Sequence, residues 1–407
     1  MLQTKRGLYD IFTFCVATIF FLILFFGNTL AYFNSLSVNS GLLYALIEII
    51  YMLKKILLFT CFLCVFLRNK ISKVSLISVL VVFGIVLYTY IISTIQFDLF
   101  KDVYLDFFCG FTLFLLFVSG LIQIEQIMPT TIYIARILLG GCLFSIYGHE
   151  NWEYFISHNY MFMSNAFLIP VATLIYAIYQ KNCWVDYVLV SIGTFIVMLY
   201  GSRGNFLVLF TMLIVILFFK MKKKDIFSLI ITVISGLLIL INTDILYINS
   251  SRTVEKLITN EFFESSSRIE IWEYLISRTF SNALIGKGFC TDRVYLLERQ
   301  QTDEQVYAHN FFIEVFTDFG IVGIVVAILM VLLLLNFIIN CHNKEKKFSV
   351  IMLSCTSFLA LMFSRTFLTE HGFFIMLGTI INWRLTYKNN KEKIINYENG
   401  DNNNTNI

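Results

Sequence analysis

The chain has 407 residues, of which 58% are hydrophobic and 14% charged, against about 25% charged in a typical soluble domain. With 43 Phe, 21 Tyr and 4 Trp, a single water-soluble core could not hide this apolar surface, so ordinary globular classes are excluded, and two prolines exclude a collagenous or Pro-rich linker protein. The net charge of +3 says little as a total, but its distribution predicts sidedness.

A membrane span takes about 20 apolar residues. Twelve such runs can be read in order: 8–33, 43–67, 75–95, 103–123, 131–148, 160–179, 184–200, 204–220, 226–244, 311–339, 348–364 and 371–387. They predict an all-α polytopic membrane protein of about twelve transmembrane helices with one long external loop. The first run is too long for the apolar region of a signal peptide and lacks a small-residue cleavage site, so it is expected to stay as a signal anchor. With the N-terminus inside, the cytoplasmic cations are Lys5 and Arg6; Arg68, Lys70 and Lys73; Lys181; Lys220 and Lys222–Lys224; Lys344, Lys346 and Lys347; Arg384, Lys388, Lys391 and Lys393. The short outer loops hold only Lys101, Arg203 and Arg365. That alternation follows the positive-inside rule and places both termini in the cytoplasm. The expected organisation is a membrane bundle over 1–244 with about nine spans, an external loop over 245–306, a second bundle over 307–387 with about three spans, and a disordered cytoplasmic tail over 388–407.

Lys54 and Lys55 interrupt the second run, and Arg136 lies near the inner end of the fifth. All three are expected to snorkel to the headgroups. Nine cysteines are present, but only Cys290 falls in a sizeable outer segment, so no disulfide framework is expected. No Cys/His spacing suggests zinc.

Polar residues gather on the outer face. His149-Glu150-Asn151-Trp152-Glu153-Tyr154-Phe155 offers aromatics for stacking on sugars or for an interfacial belt. Gly201-Ser202-Arg203-Gly204-Asn205 forms an outer turn at which the eighth span begins. Two glycines allow close approach to a ligand, and the positive end of the helix dipole faces outward beside Arg203.

The segment 245–306 is too long for a plain connection, and such loops are usually functional or disordered. Its composition is not that of disorder. Ser267 and Glu270 form a capping-box pattern, and Trp272, Leu275 and Ile276 follow at helical spacing, so one face docks on something apolar. Asn282–Gly288 then makes a glycine turn without the GxxxxGK[ST] pattern of a nucleotide loop. Arg268 opposes the dipole of the helix it opens, at about 0.3–1 kcal/mol. Two readings stand: an anion site of arginine plus free N–H groups, or a surface arginine paired with Glu264 or Glu270.

Ala308-His309-Asn310-Phe311 opens the next span, which carries Glu314 and Asp318 on one face and continues through Phe319-Gly320-Ile321-Val322-Gly323. His309 and Glu314 are about 140° apart around a helix, so they face each other only if His309 precedes it. Ser364-Arg365-Thr366 with Glu370 and His371 forms the last outer turn.

This set resembles the O-antigen polymerase and O-antigen ligase-like family: Ser-Arg-Gly in an outer turn; a long outer loop with Arg268, Trp272 and Gly286-x-Gly288; and His309-Asn310 leading to Phe319–Gly323. The motifs cover about 200–325. The resemblance implies a GT-C-like, metal-independent glycosyltransferase of the bacterial plasma (inner) membrane. Its implied substrate is an oligosaccharide on undecaprenyl diphosphate, and its product builds O-antigen, capsule or exopolysaccharide. It implies that Arg203 and Arg268 bind diphosphate and that His309 is the base. Arg365 is grouped with the diphosphate-binding cations, and Glu314 is the alternative base. No cofactor, metal or nucleic acid is expected; membrane lipids, a chain-length regulator and a flippase of the same pathway are the implied partners. The chemistry fits independently, because fixed arginines and helix N-termini stabilise charge developing on a departing phosphate. No Asp-x-Asp pair of the sugar-nucleotide transferases occurs, and the outer loop around Phe33 to Gly41 has no acid. A ligase that passes the finished glycan to another acceptor, and a flippase for the same lipid-linked glycan, are the alternatives.

Overall fold

The computed structural model describes residues 2–27, 29, 41–67, 72–93, 99–147, 152–181, 183–199, 203–219, 268–299, 307–363 and 365–401. Their long elements are α1 (Leu2–Phe25), α2 (Gly41–Leu67), α3 (Lys73–Ile92), α4 (Lys101–Val118), α5 (Ile124–Tyr147), α6 (Trp152–Lys181), α7 (Trp184–Leu199), α8 (Arg203–Phe219), α9 (Arg268–Thr279), α10 (Thr291–Glu298), α11 (Phe311–Asn340), α12 (Lys344–Leu353) and α13 (His371–Asp401). A π-helical turn, Ser354–Leu359, continues α12. No strand occurs among the described residues. Each predicted apolar run coincides with a helix except 226–244, which lies outside the described residues.

Side-chain caps set several starts. Ser72 Oγ accepts from Ser75 N–H at 3.0 Å to open α3, and Asn343 Oδ1 accepts from Lys346 N–H at 3.0 Å to open α12. Each satisfies a backbone donor that the first turn leaves unpaired.

Three helices among the described residues are individually long and apolar enough to cross a membrane: Glu48–Leu67, Lys73–Ile92 and Phe311–Asn340. Their outward faces expose Met52, Ile56 and Phe59; Ile77, Leu80 and Phe83; and Val325, Ile328 and Leu332. Such stripes are too large for a monomeric surface in water and suit acyl chains, so the chain is a membrane protein. Inside, α4 packs along α13. A Cβ at Gly110 would lie 2.3 Å from the Phe374 ring, and one at Gly378 would lie 2.8 Å from the Phe114 carbonyl oxygen. Small residues let backbones meet closely where lipid gives helices no hydrophobic drive to associate.

The ties between helices fall into two groups, one at each end of the bundle. At one end, Thr29 Oγ1 donates to Ala166 O at 2.6 Å, Tyr88 from the end of α3 reaches Gly286 O at 2.9 Å, and Asn205 from the start of α8 bonds Asn165 at 2.8 Å. At the other, Lys346 pairs with Glu125 at 3.4 Å, and Tyr179 from the end of α6 stacks on Phe348 with ring centroids 3.9 Å apart. The described parts of the outer turns at 205, 286 and 365–370 share the first of these ends.

Two snorkelling expectations are corrected. Lys54 forms an ion pair with Asp106 of α4 inside the bundle, while Lys55 is exposed. Arg136 makes a two-pronged pair with Asp186, both contacts at 2.7 Å, and Asp186 is fully buried. A hydrogen-bonded ion pair offsets part of the desolvation penalty that snorkelling would otherwise relieve. Helix α13 runs on to Asp401, into the stretch read as a tail, because an existing helix gains one hydrogen bond per residue added and needs no new nucleus; residues 402–407 lie outside the described residues.

Candidate active site

The site is built on a broken helix. Within α11, Gly320 has φ 62° and ψ −152°, a conformation essentially restricted to glycine. The break releases N–H groups that membrane depth cannot leave unpaired. The chain after α9 fills it: Ile321 N–H donates to Ala283 O at 2.8 Å, Val322 N–H to Leu284 O at 3.2 Å, and Gly288 N–H to Asp318 O at 2.8 Å. Gly286, at φ 71°, lies so close that a Cβ would sit 2.3 Å from the Asp318 carbonyl oxygen. Phe289 then packs against Phe107 and edge-on to Tyr104 and Phe319. The predicted glycine turn is thus a plug wedged among membrane helices.

The plug positions α10. The buried Asp318 carboxylate accepts N–H bonds from Cys290 (3.2 Å), Thr291 (2.9 Å) and Asp292 (3.3 Å). It caps α10 from a different helix, at the terminus where a negative charge is favoured. Helices α9 and α10 share a small core of Ile271, Leu275, Tyr295, Leu296 and Ala308, which is the apolar docking that the spacing around Trp272 predicted.

That core fixes the residue before His309. Ala308 donates its N–H to Asp292 Oδ2 at 2.9 Å and accepts from Trp272 Nε1 at 2.7 Å. His309 itself has φ 53°, uncommon for a residue with a side chain. Asn310 is extended, and its Oδ1 caps α11 by accepting from Phe312 N–H (3.0 Å) and Ile313 N–H (3.3 Å). His309 therefore precedes the helix. Its ring lies 4.1 Å from that of Tyr307, and its Nδ1 is buried with no hydrogen-bond partner. Burial, together with the positive charges of Arg268 and Arg293, pushes its pKa down to about 4. The imidazole is neutral at pH 7.

Arg268 opens α9, and its Nη1 donates to Phe363 O at 2.7 Å, just before the last outer turn. Of the two partners offered by the bland reading, Glu264 lies outside the described residues, and Glu270 is 3.9 Å from Arg299 instead. Ser267, the expected cap, and the turn Gly201-Ser202 also lie outside the described residues. Arg203 begins α8, but its side chain is outside them, as are those of the segment 149–155. Glu314 is fully buried; it accepts from Thr366 Oγ1 and from Phe367 N–H at 3.4 Å, tying the last outer turn to α11. Arg365 is buried too. It pairs with Glu370 at 2.5 Å and donates to Asn165 Oδ1 at 3.3 Å. Glu370 offsets its charge, unlike an arginine awaiting a phosphate.

Sequence reasoning missed Asp292 and Arg293. Arg293 is 6% exposed and lies between the Phe100 and Tyr307 rings, at 5.8 and 5.4 Å. Burial raises the Asp292 carboxyl above the usual range, and Arg293 opposes that shift. The available signal was Gly286-x-Gly288 followed by Thr291-Asp292-Arg293, a helix start directly after a tight turn.

The class this defines is an all-helical membrane protein with arginines, a neutral histidine and buried carboxylates assembled at one end of its bundle. Residues 188–328 match the family model described as O-antigen ligase. The match supports an O-antigen ligase/polymerase-like family of glycosyltransferase-like membrane enzymes. It spans Arg203, Arg268, Arg293, His309, Glu314 and Gly320, and stops short of Arg365. No curated protein and no solved structure matches the chain.

Proposed function

We propose that this protein polymerises oligosaccharide repeat units carried on undecaprenyl diphosphate, at the outer face of the bacterial plasma membrane, through a GT-C-like bundle of about twelve spans with both termini cytoplasmic. The observation that carries this reading is the surroundings of His309: an imidazole held neutral at a helix mouth beside two guanidinium groups. A neutral imidazole accepts a proton, and one of those guanidinium groups, Arg268, is suited to receive a departing diphosphate.

In the reaction an acceptor hydroxyl attacks the anomeric carbon of the donor. The new glycosidic C–O bond forms, the hydroxyl proton passes to His309, and the bond from that carbon to phosphate oxygen breaks. Its electron pair leaves on undecaprenyl diphosphate. Arg203 and Arg268 are assigned to the diphosphate, Arg365 to bracing the last outer turn, and Glu314 to holding that turn, with a fallback role as base. A flippase of the same pathway supplies the substrate on this face, and a chain-length regulator is the expected partner.

The matched family description favours a second reading, a ligase that passes the finished glycan to another acceptor with the same donor chemistry. Deleting the gene and examining the surface glycan separates them. A single repeat left on the carrier supports the polymerase, a long carrier-linked polymer supports the ligase, and repeats trapped on the inner leaflet support a flippase.

Arg268→Ala is expected to weaken donor-lipid binding by about 10- to 100-fold, the effect of one charge-assisted hydrogen bond. Arg268→Lys keeps the charge but loses the planar fork, so it too impairs activity. Normal polymerisation by both Arg203→Ala and Arg268→Ala, at wild-type protein levels, would place the diphosphate elsewhere.

Orientation is tested with single cysteines in a background whose native cysteines are replaced. Ser277, on the exposed face of α9, and His342, exposed between α11 and α12, belong to opposite ends of the bundle. Ser277→Cys should react with an impermeant thiol reagent on intact cells and His342→Cys should not. The reverse pattern overturns the orientation and the outer-face reaction together.

A further inference from the structure

Two buried charges beside His309 have no part in the reaction as written above. Asp292 is fully buried; its Oδ2 takes the Ala308 N–H, while Oδ1 makes no hydrogen bond of normal geometry, although the N–H groups of Asp292 and Arg293 act on the carboxylate. Arg293, nearly as buried, has an Nε with no acceptor. The two are adjacent in sequence yet leave these atoms unsatisfied. Tyr307 joins them to the base, since its ring contacts the Arg293 guanidinium on one side and the His309 ring on the other. His309 Nδ1 also lacks a partner. Buried polar atoms in folded proteins are almost always hydrogen-bonded. An orphan acceptor, an orphan donor and an imidazole nitrogen, on residues linked through the Tyr307 ring, therefore call for a ligand or water.

The chemistry narrows the occupant. An anion is disfavoured, because the fully buried Asp292 and Glu314 already face Arg293. A cation is disfavoured by Arg293 and by the charge of Arg268 on the same histidine. A neutral group that both donates and accepts fits all three atoms, and a sugar offers several such hydroxyls. Tyr307 and His309 are partly exposed and form the open edge of the cluster.

We propose that Asp292, Arg293 and His309 form the subsite for the acceptor sugar. One hydroxyl donates to Asp292 Oδ1 and accepts from Arg293 Nε–H, which presents the attacking hydroxyl to His309. This rests on the glycosyl-transfer reading given above and deepens it, assigning Asp292 and Arg293 to acceptor binding and Arg203 and Arg268 to the diphosphate.

The test uses the purified full-length protein in lipid nanodiscs. Two probes are used: the free oligosaccharide repeat, released from its carrier by mild acid, as a competitor of chain growth; and undecaprenyl diphosphate, for direct binding. Asp292→Asn keeps the shape but turns one acceptor into a donor. Arg293→Lys keeps the charge but loses the Nε–H. Each should raise the inhibition constant of the free oligosaccharide about 10- to 100-fold, leaving undecaprenyl diphosphate binding within about two-fold and the Tm unchanged. Inhibition constants within about two-fold of wild type at unchanged Tm overturn the subsite and leave an ordered water as the occupant. Failure of the free oligosaccharide to compete in the wild type overturns it as well. Where a variant does not fold, deoxy analogues of the terminal sugar replace it with the wild-type protein. One of them must lose affinity by the same factor, and uniform affinity across them overturns the subsite. A wild-type protein that neither extends chains nor binds undecaprenyl diphosphate is a different result, since it defeats the glycosyl-transfer function itself.

Discussion

His309→Ala is expected to reduce chain growth by about 10²–10⁴-fold, the usual contribution of a positioned general base, with donor-lipid binding largely retained. The fold should survive the change, because Ala308 stays pinned by Asp292 and Trp272, and Asn310 still caps α11. The pH dependence adds a sharper criterion. A base works when deprotonated, so activity is lost as pH falls through its pKa. With His309 pushed down to about 4 by burial and by Arg268 and Arg293, kcat/KM should hold through about pH 6.5, the ordinary histidine value, and decline only near 4. Bound diphosphate partly neutralises Arg268, so the acid limb of kcat should lie at higher pH than that of kcat/KM. Arg268→Gln should likewise move the kcat/KM limb upward, because it removes one of the opposing charges. If His309→Ala retains more than about a tenth of wild-type turnover, histidine is only a positioning residue. The proton then goes to Glu314 or to the substrate itself.

The second large effect is structural. Gly320→Ala should abolish most of the folded protein. The native φ and ψ lie where a side chain costs about 1–3 kcal/mol, and the added Cβ would stand 2.4 Å from the Ala283 carbonyl oxygen. Relieving that contact means withdrawing the plug, which breaks the bonds to Ala283, Leu284 and Gly288. It also removes the support of α10 and, through Asp292, of Ala308. Gly286→Ala should behave alike, since its Cβ would meet the other face of the same junction. Gly84 in α3 is the control, because a Cβ added there would meet nothing within 4 Å. Gly84→Ala should be neutral or stabilising by up to about 1 kcal/mol. Thermal unfolding of the solubilised protein and the fraction eluting as a single species measure all three. A Gly320→Ala protein that unfolds at the wild-type temperature would mean that the break in α11 is not required.

Much was legible in the sequence because a bilayer imposes simple rules. Apolar runs near 20 residues must become helices, since backbone groups in lipid have no other partners. The described helices lie where those runs were read. The cationic bias predicts an alternation that puts the polar turns on one face. Arg268 at a helix start was visible because it departs from what stability alone would place there, and His309-Asn310 because it stands directly ahead of a span.

Tertiary structure decided the rest, through contacts between residues far apart in the chain. Nothing local to Lys54 or Arg136 announces that Asp106 and Asp186 will pair with them, so snorkelling was the natural expectation. Glu314 and Arg365 are visible as charges along the chain, but only the packed bundle sets Thr366 and Glu370 against them. Residues 282–288 read as a glycine turn of the external loop. It is a membrane plug only because Gly320 breaks α11 and the freed N–H groups need Ala283 and Leu284 as acceptors. Asp292 and Arg293 acquire meaning through that plug, because only a rigid seat for α10 brings two charges into apolar surroundings beside His309. Hydropathy and charge pattern are properties of the chain and can be read along it. The pairing of buried polar groups is a property of the packed bundle, and it exists only once the helices are in place.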